Sequence, residues 1–134
     1  MNGVELATSL FEQIEQAVCI EPVTDPDWHG VPNKCHENVE RWIALHPTHR
    51  PVRGYLVATA TEFSAVFDLH SVVQREDGSM IDVTPLAHPC GFIRYDMSDG
   101  QFEQCRKHLS QIPYMSGDLS DLLATPVDDG ERQF

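Results

Sequence analysis

Positive charge is scarce in this chain. Nine lysines and arginines stand against 21 aspartates and glutamates, a formal net charge of -12. Without a basic surface there is no counterion release to drive nucleic-acid binding and no attraction to an anionic bilayer, so neither nucleic acid nor membrane is an expected partner. Long apolar runs are missing as well. The opening MNGVELATSLFEQIEQAV has no basic lead, is interrupted by Glu5, Glu12 and Glu15, and reads as neither a signal peptide nor a membrane span. Cysteine is sparse and irregularly spaced. Cys19, Cys35, Cys90 and Cys105 make no disulfide framework for 134 residues, which points to reduced thiols in a cytoplasmic protein, with one or two of them at most in chemistry. Repeats and low-complexity runs are also absent. The length suits one α+β domain over residues 1–115, able to bury its own core, followed by an acidic extension over 116–134.

What is present is organised around Phe63 to Pro85, FSAVFDLHSVVQREDGSMIDVTP, two apolar and β-branched arms meeting at Glu76-Asp77-Gly78. Asp-Gly between such arms signals a β-hairpin. A two-residue loop would put Asp82 opposite Val73, on the face away from His70. A three-residue loop with Gly78 in the left-handed region puts Arg75 opposite Ser79 and Val72 opposite Asp82. That register sorts Phe67, Leu69, Val73, Ile81 and Val83 onto one face. His70, Val72, Gln74, Met80, Asp82 and Thr84 share the other, with His70 and Asp82 at a diagonal that a side-chain contact can bridge. Two ordinary half-exposed strand polars would give the same pattern.

Upstream, Leu6, Leu10, Ile14 and Val18 mark an amphipathic helix from Val4 to Val18, with Cys19 a small buried hydrophobe after it. Glu21 to Asn33 has loop composition and delivers Trp28, His29 and Asn33 ahead of a second helix, from Lys34 to His46. Asn33 is its expected N-cap, and Glu37 and Arg41 are spaced to pair. Cys35 falls in the first turn, on the face of Val39, Trp42, Ile43 and His46. The helix dipole and unpaired amides there stabilise a thiolate and offer donors to an oxyanion, although an inert packed cysteine fits the same place. Val52 to Ala60 and Gly91 to Tyr95 read as strands. Ser98 reads as the cap of a last helix, Asp99 to Gln111, that turns Phe102, Cys105 and Leu109 to one side. His46 and His49 read as surface residues complementing a helix end.

Cys35, His70 and Asp82 in this order are the parts of a nucleophile, its base and the carboxylate that orients the base. Over Asn33 to Pro85 the chain resembles the transglutaminase-like branch of the papain-like cysteine enzymes. Pro51-Val52-Arg53-Gly54-Tyr55 is similar to the segment before that branch's histidine strand, and His70-Ser71-Val72-Val73 and Asp82-Val83-Thr84-Pro85 are similar to its histidine and aspartate motifs. Ser71 after the histidine, His36 after the cysteine, and the lack of a glutamine before Cys35 depart from it. The resemblance implies an α+β papain-like/transglutaminase-like core, a helix with Cys35 at its N-terminus packed over the His70 and Asp82 surface of a small antiparallel sheet. It further implies a cofactor-free thiol acyl-transfer enzyme, a glutamine deamidase, amidohydrolase or peptidase. Its partner would be a protein or peptide substrate bearing Gln, Asn or a peptide bond. Trp28, His29 and Asn33 are candidate oxyanion or substrate-binding residues. Two non-catalytic readings stand beside it: an interaction module on an inactive version of this fold, or one stapled by zinc at His88, Cys90, Cys105 and His108.

Overall fold

A computed structural model describes residues 2–116. All but the first residue of the expected acidic extension lies outside them. The described chain begins with helix α1 (Gly3–Glu12), a single 3-10 turn (Ile14–Gln16) and two short strands, β1 (Val18–Cys19) and β2 (Glu21–Pro22). Helix α2 (Cys35–Leu45) leads into the long strands β3 (Arg50–Ala60) and β4 (Ser64–Gln74), then β5 (Met80–Asp82) and β6 (Gly91–Arg94). Helix α3 (Asp99–His108) and strand β7 (Gln111–Met115) complete it. The seven strands form one nearly closed sheet in the order β1-β6-β3-β4-β5-β2, with β7 also on β4. Every pairing is antiparallel except β2 with β5, so the sheet is larger and more mixed than expected.

The β4–β5 hairpin takes the three-residue register. Val73 faces Ile81, Gln74 faces Met80, and the Arg75 amide donates to the Ser79 carbonyl at 2.8 Å. Gly78 sits at φ +88°, where a side chain would be strained.

One edge of β4 carries two different partners, and the gap between them makes the site. Since β3 occupies the other edge, β5 at Val73–Gln74 and β7 at Ser64–Asp68 share this one. Neither strand pairs with Leu69 to Val72. The first turn of α2 approaches there, with Cys35 Sγ 4.0 Å from the Leu69 carbonyl oxygen.

Alternation along the strands sets the packing. Leu6 and Leu10 of α1 and Phe102 of α3 bury Tyr55, Phe67, Leu69 and Ile93. Val39 and Trp42 of α2 bury Val73, Ile81 and Val83 on the same side of the sheet. The other side closes on itself through Val52, Leu56, Val72 and Phe92, with Ile20 and Met80 against them. The body of α2 therefore does not lie over Val72 and Met80. Those residues are already covered by neighbouring strands, and the exposed apolar stripe for Trp42 to cover is the odd-numbered one. Cys35 comes to His70 past the open strand edge instead.

Other departures have local causes. The first helix stops at Glu12 because Val18 and Cys19 are needed as partners for Phe92 and Gly91, which leaves Cys19 exposed rather than buried. Asn33 has φ +64° and does not cap α2; Lys34 holds the cap position, with no side-chain hydrogen bond. Glu37 pairs with Arg106 at 3.1 Å, while Arg41 donates to the His29 carbonyl. The last helix ends at His108 because Gln111 to Met115 join β4, although its Ser98 cap forms as expected, with Gln101 closing a capping box. His46 and His49 are drawn to Trp42: the His46 ring stacks on it at 4.1 Å and His49 Nδ1 accepts its indole N–H. No helix among the described residues is long and apolar enough to cross a membrane.

Candidate active site

His70 and Asp82 project from the face opposite the helices, and both are buried, at 4% and 3% exposure. His70 Nε2 lies 2.7 Å from Asp82 Oδ2, and the other carboxylate oxygen accepts the Thr84 amide at 3.0 Å. With both oxygens engaged the carboxylate is fixed, and it fixes the imidazole. Gly54 stands directly opposite His70 on β3. A side chain at Gly54 would collide with the Ile93 carbonyl and with Phe92, whose ring meets His70 edge-on.

Cys35 is half-buried at the start of α2, close enough to His70 for each to shift the other's ionisation. Burial opposes ionisation of the thiol, but hydrogen bonds from His36 and His70 and their charge outweigh it, holding the Cys35 pKa at about 6. Burial likewise works against the His70 imidazolium. Hydrogen bonds to Asp82 and Cys35 overcome it and hold the His70 pKa at about 9. Between these values thiolate and imidazolium coexist.

Cys35 and His70 line one cavity of about 540 Å³, with Asn33, Leu56, Asp68 and Leu86 among its other walls. Asn33 is thus brought to the nucleophile. Trp28 and His29 are not: they line a separate cavity, and the Trp28 indole N–H is occupied by the Val83 carbonyl at 2.8 Å. The four expected zinc ligands are not assembled. Cys105 is buried in the core with Leu6 and Tyr55, whereas His88 and Cys90 line the Cys35 cavity. Among the described residues no group of three or more His, Cys, Asp or Glu is placed to hold a metal.

Two parts of the site were missed in the sequence. Asn38, 1% exposed, holds the loop before Cys35 in place: its amide donates to the Val31 carbonyl and to Thr84 Oγ1, both at 2.9 Å, while its oxygen accepts from the Val31 amide at 3.1 Å and from Arg41. A polar residue on the inward side of α2, one position before Val39, was the available signal. The second is a set of polar contacts at His36. Its Nδ1 lies 2.7 Å from Ser71 Oγ and 3.6 Å from Cys35 Sγ, and Arg53 donates to the same hydroxyl oxygen at 2.7 Å. His36 and Ser71, the two positions that depart from the resembled motifs, thus touch each other.

No family model, curated protein or solved structure matches the chain.

Proposed function

We propose that this protein is a cysteine acyl-transfer enzyme of transglutaminase-like or papain-like type, hydrolysing a carboxamide or peptide bond through Cys35, His70 and Asp82. The observation that carries the reading is the shared cavity: a half-buried thiol and an imidazole backed by a buried carboxylate at 2.7 Å open onto one space of about 540 Å³. The likeness in fold is supported by a cysteine at a helix start beside adjoining antiparallel strands that carry histidine and aspartate.

In this reading the Cys35 thiolate attacks the carbonyl carbon and its electron pair becomes the new C–S bond. The carbonyl oxygen gathers the displaced charge near the amide of Cys35 and Asn33, at a helix start whose cap residue, Lys34, makes no side-chain hydrogen bond. Collapse of this adduct breaks the C–N bond as the His70 imidazolium passes its proton to the departing ammonia or amine. His70, neutral again and held by Asp82, takes a proton from water, whose oxygen attacks the thioester and frees the acid and the thiol.

A generic acyl donor tests the chemistry without knowledge of the substrate. Mixed with p-nitrophenyl acetate, the protein is expected to release a stoichiometric burst of p-nitrophenolate and to carry one acetyl group on Cys35, both lost in Cys35→Ala. Acetylation spread evenly over the four cysteines, with no burst, would contradict the proposal.

A further inference from the structure

His36 is clamped on two sides. Its Nδ1 meets the fully buried Ser71 hydroxyl, and its ring meets Phe102 edge-on at 4.9 Å. The clamp is itself held, because Arg53 donates to Ser71 Oγ while its guanidinium lies 3.9 Å over the same Phe102 ring. Behind it, Arg106 approaches Phe102 at 5.7 Å and pairs with Glu37. The resulting position leaves His36 Nδ1 3.6 Å from the Cys35 sulfur. His70, by contrast, lines the cavity and His36 does not.

We propose that His36 is a second, stationary partner of the Cys35 sulfur, positioned by Ser71, Arg53 and Phe102, which donates a hydrogen bond to the thiolate while His70 alone carries protons to and from the substrate. The inference rests on the reading of Cys35 as a thiolate nucleophile. Donation needs a proton on Nδ1, and Ser71 offers that proton a fixed acceptor. With one lone pair of Oγ taken by Arg53, the other accepts Nδ1–H, and the same N–H is shared with the sulfur. The Arg53 guanidinium adds a favourable positive charge to the thiolate. The groups that bear on the sulfur are then His36 from its own helix, His70 with Asp82 behind it, Arg53 from β3, and Asp68, His88 and Cys90 on the cavity wall. His36 is a positioning residue in this scheme, since a leaving group in the cavity cannot reach it.

The test is the rate of iodoacetamide alkylation at Cys35 against pH, in the whole chain and with folding checked by circular dichroism. The wild-type midpoint is expected at about 6. His36→Leu keeps bulk against Phe102 but has no donor, and is expected to move the midpoint upward by about one pKa unit, so that alkylation at pH 6 slows roughly fivefold as the thiolate fraction falls. His36→Asn, whose amide nitrogen can take the place of Nδ1, is expected to recover most of that loss, which a merely structural role would not predict. If His36→Leu does not fold, Ser71→Ala decides, with the same direction and a smaller size. A lowered wild-type midpoint unchanged in the folded variant would overturn the role of His36 alone. A wild-type midpoint near the ordinary thiol value of about 8.5 would instead overturn the nucleophile itself.

Discussion

His70 Nε2 and Asp82 Oδ2 are 2.7 Å apart across a diagonal of the β4–β5 hairpin, and the contact exists only because the loop between the strands has three residues. A loop one residue shorter would turn Asp82 to the helix side, among Val73, Ile81 and Val83. The turn at Gly78 and the chemistry at His70 are therefore one structural decision.

Replacing Asp82 tests what that contact does. Asp82→Ala leaves His70 Nε2 and the Thr84 amide without their acceptor inside the protein, a cost of about 1–3 kcal/mol for each buried group left unpaired. Thermal unfolding should report the loss, and turnover of an ester substrate should fall on the order of 10²–10⁴-fold as the imidazole loses its orientation. Asp82→Asn keeps an acceptor and is expected to recover much of the stability but little of the turnover.

Activity should follow the thiolate–imidazolium pair, rising as pH passes about 6 and falling as it passes about 9, in a plot of kcat/KM against pH. Stability carries the same signature with opposed signs. The raised His70 pKa contributes stability that is complete below 6.5 and is lost as pH rises through about 9. The lowered Cys35 pKa contributes stability that is complete above 9.0 and is lost as pH falls through about 6. The two slopes oppose each other between pH 6.5 and 9 in the wild type. Cys35→Ser removes one of them, so its Tm should drop relative to wild type as pH is raised through that window.

Two glycines should separate turn strain from close packing. Gly78→Ala meets nothing within 4 Å but is strained at φ +88°, and should cost about 1 kcal/mol without altering labelling at Cys35. Gly54→Ala must push β6 away through the Ile93 carbonyl and Phe92. It should cost about 1–3 kcal/mol and disturb His70 through the displaced Phe92 ring.

Asn38→Ala removes the bridge between Val31, Thr84 and α2, leaving buried groups without partners at about 1–3 kcal/mol each. Hydrogen exchange should then rise at the amides of Val31 and Lys34, which precede the nucleophile.

The hairpin was readable because its residues agree at every level: alternation along both arms, Asp77-Gly78 at the turn, and one register that sorts polar from apolar side chains. The Ser98 cap was readable for the same reason, since the capping residues are local. Three of the strands were not. Val18–Cys19 and Glu21–Pro22 are too short to carry a period, and their partners, β6 and β5, lie far along the chain. Gln111–Met115 was hidden by a proline and by continuity with α3. The side of the sheet taken by α2 was also misread, because Val72 and Met80 look as apolar as Val73 and Ile81 until the curl of the sheet covers the first pair. In the site, Cys35, His70 and Asp82 could be picked out by residue type and order. The contacts of His36 with Ser71 and of Asn38 with Thr84 span 35 and 46 residues and have no local signature.

The central claim is that Cys35 is an activated thiolate, and the four free cysteines allow it to be set against simple accessibility. Cys19 is exposed and Cys35 is half-buried, so a reagent guided by exposure alone would choose Cys19. Native protein should be treated with limiting iodoacetamide at pH 6 and the modified cysteines mapped by peptide mass spectrometry. The account predicts that Cys35 is carboxamidomethylated well ahead of Cys19, Cys90 and Cys105, and that His70→Ala reduces its lead. Labelling of Cys19 first, with Cys35 no faster than Cys90, would contradict it.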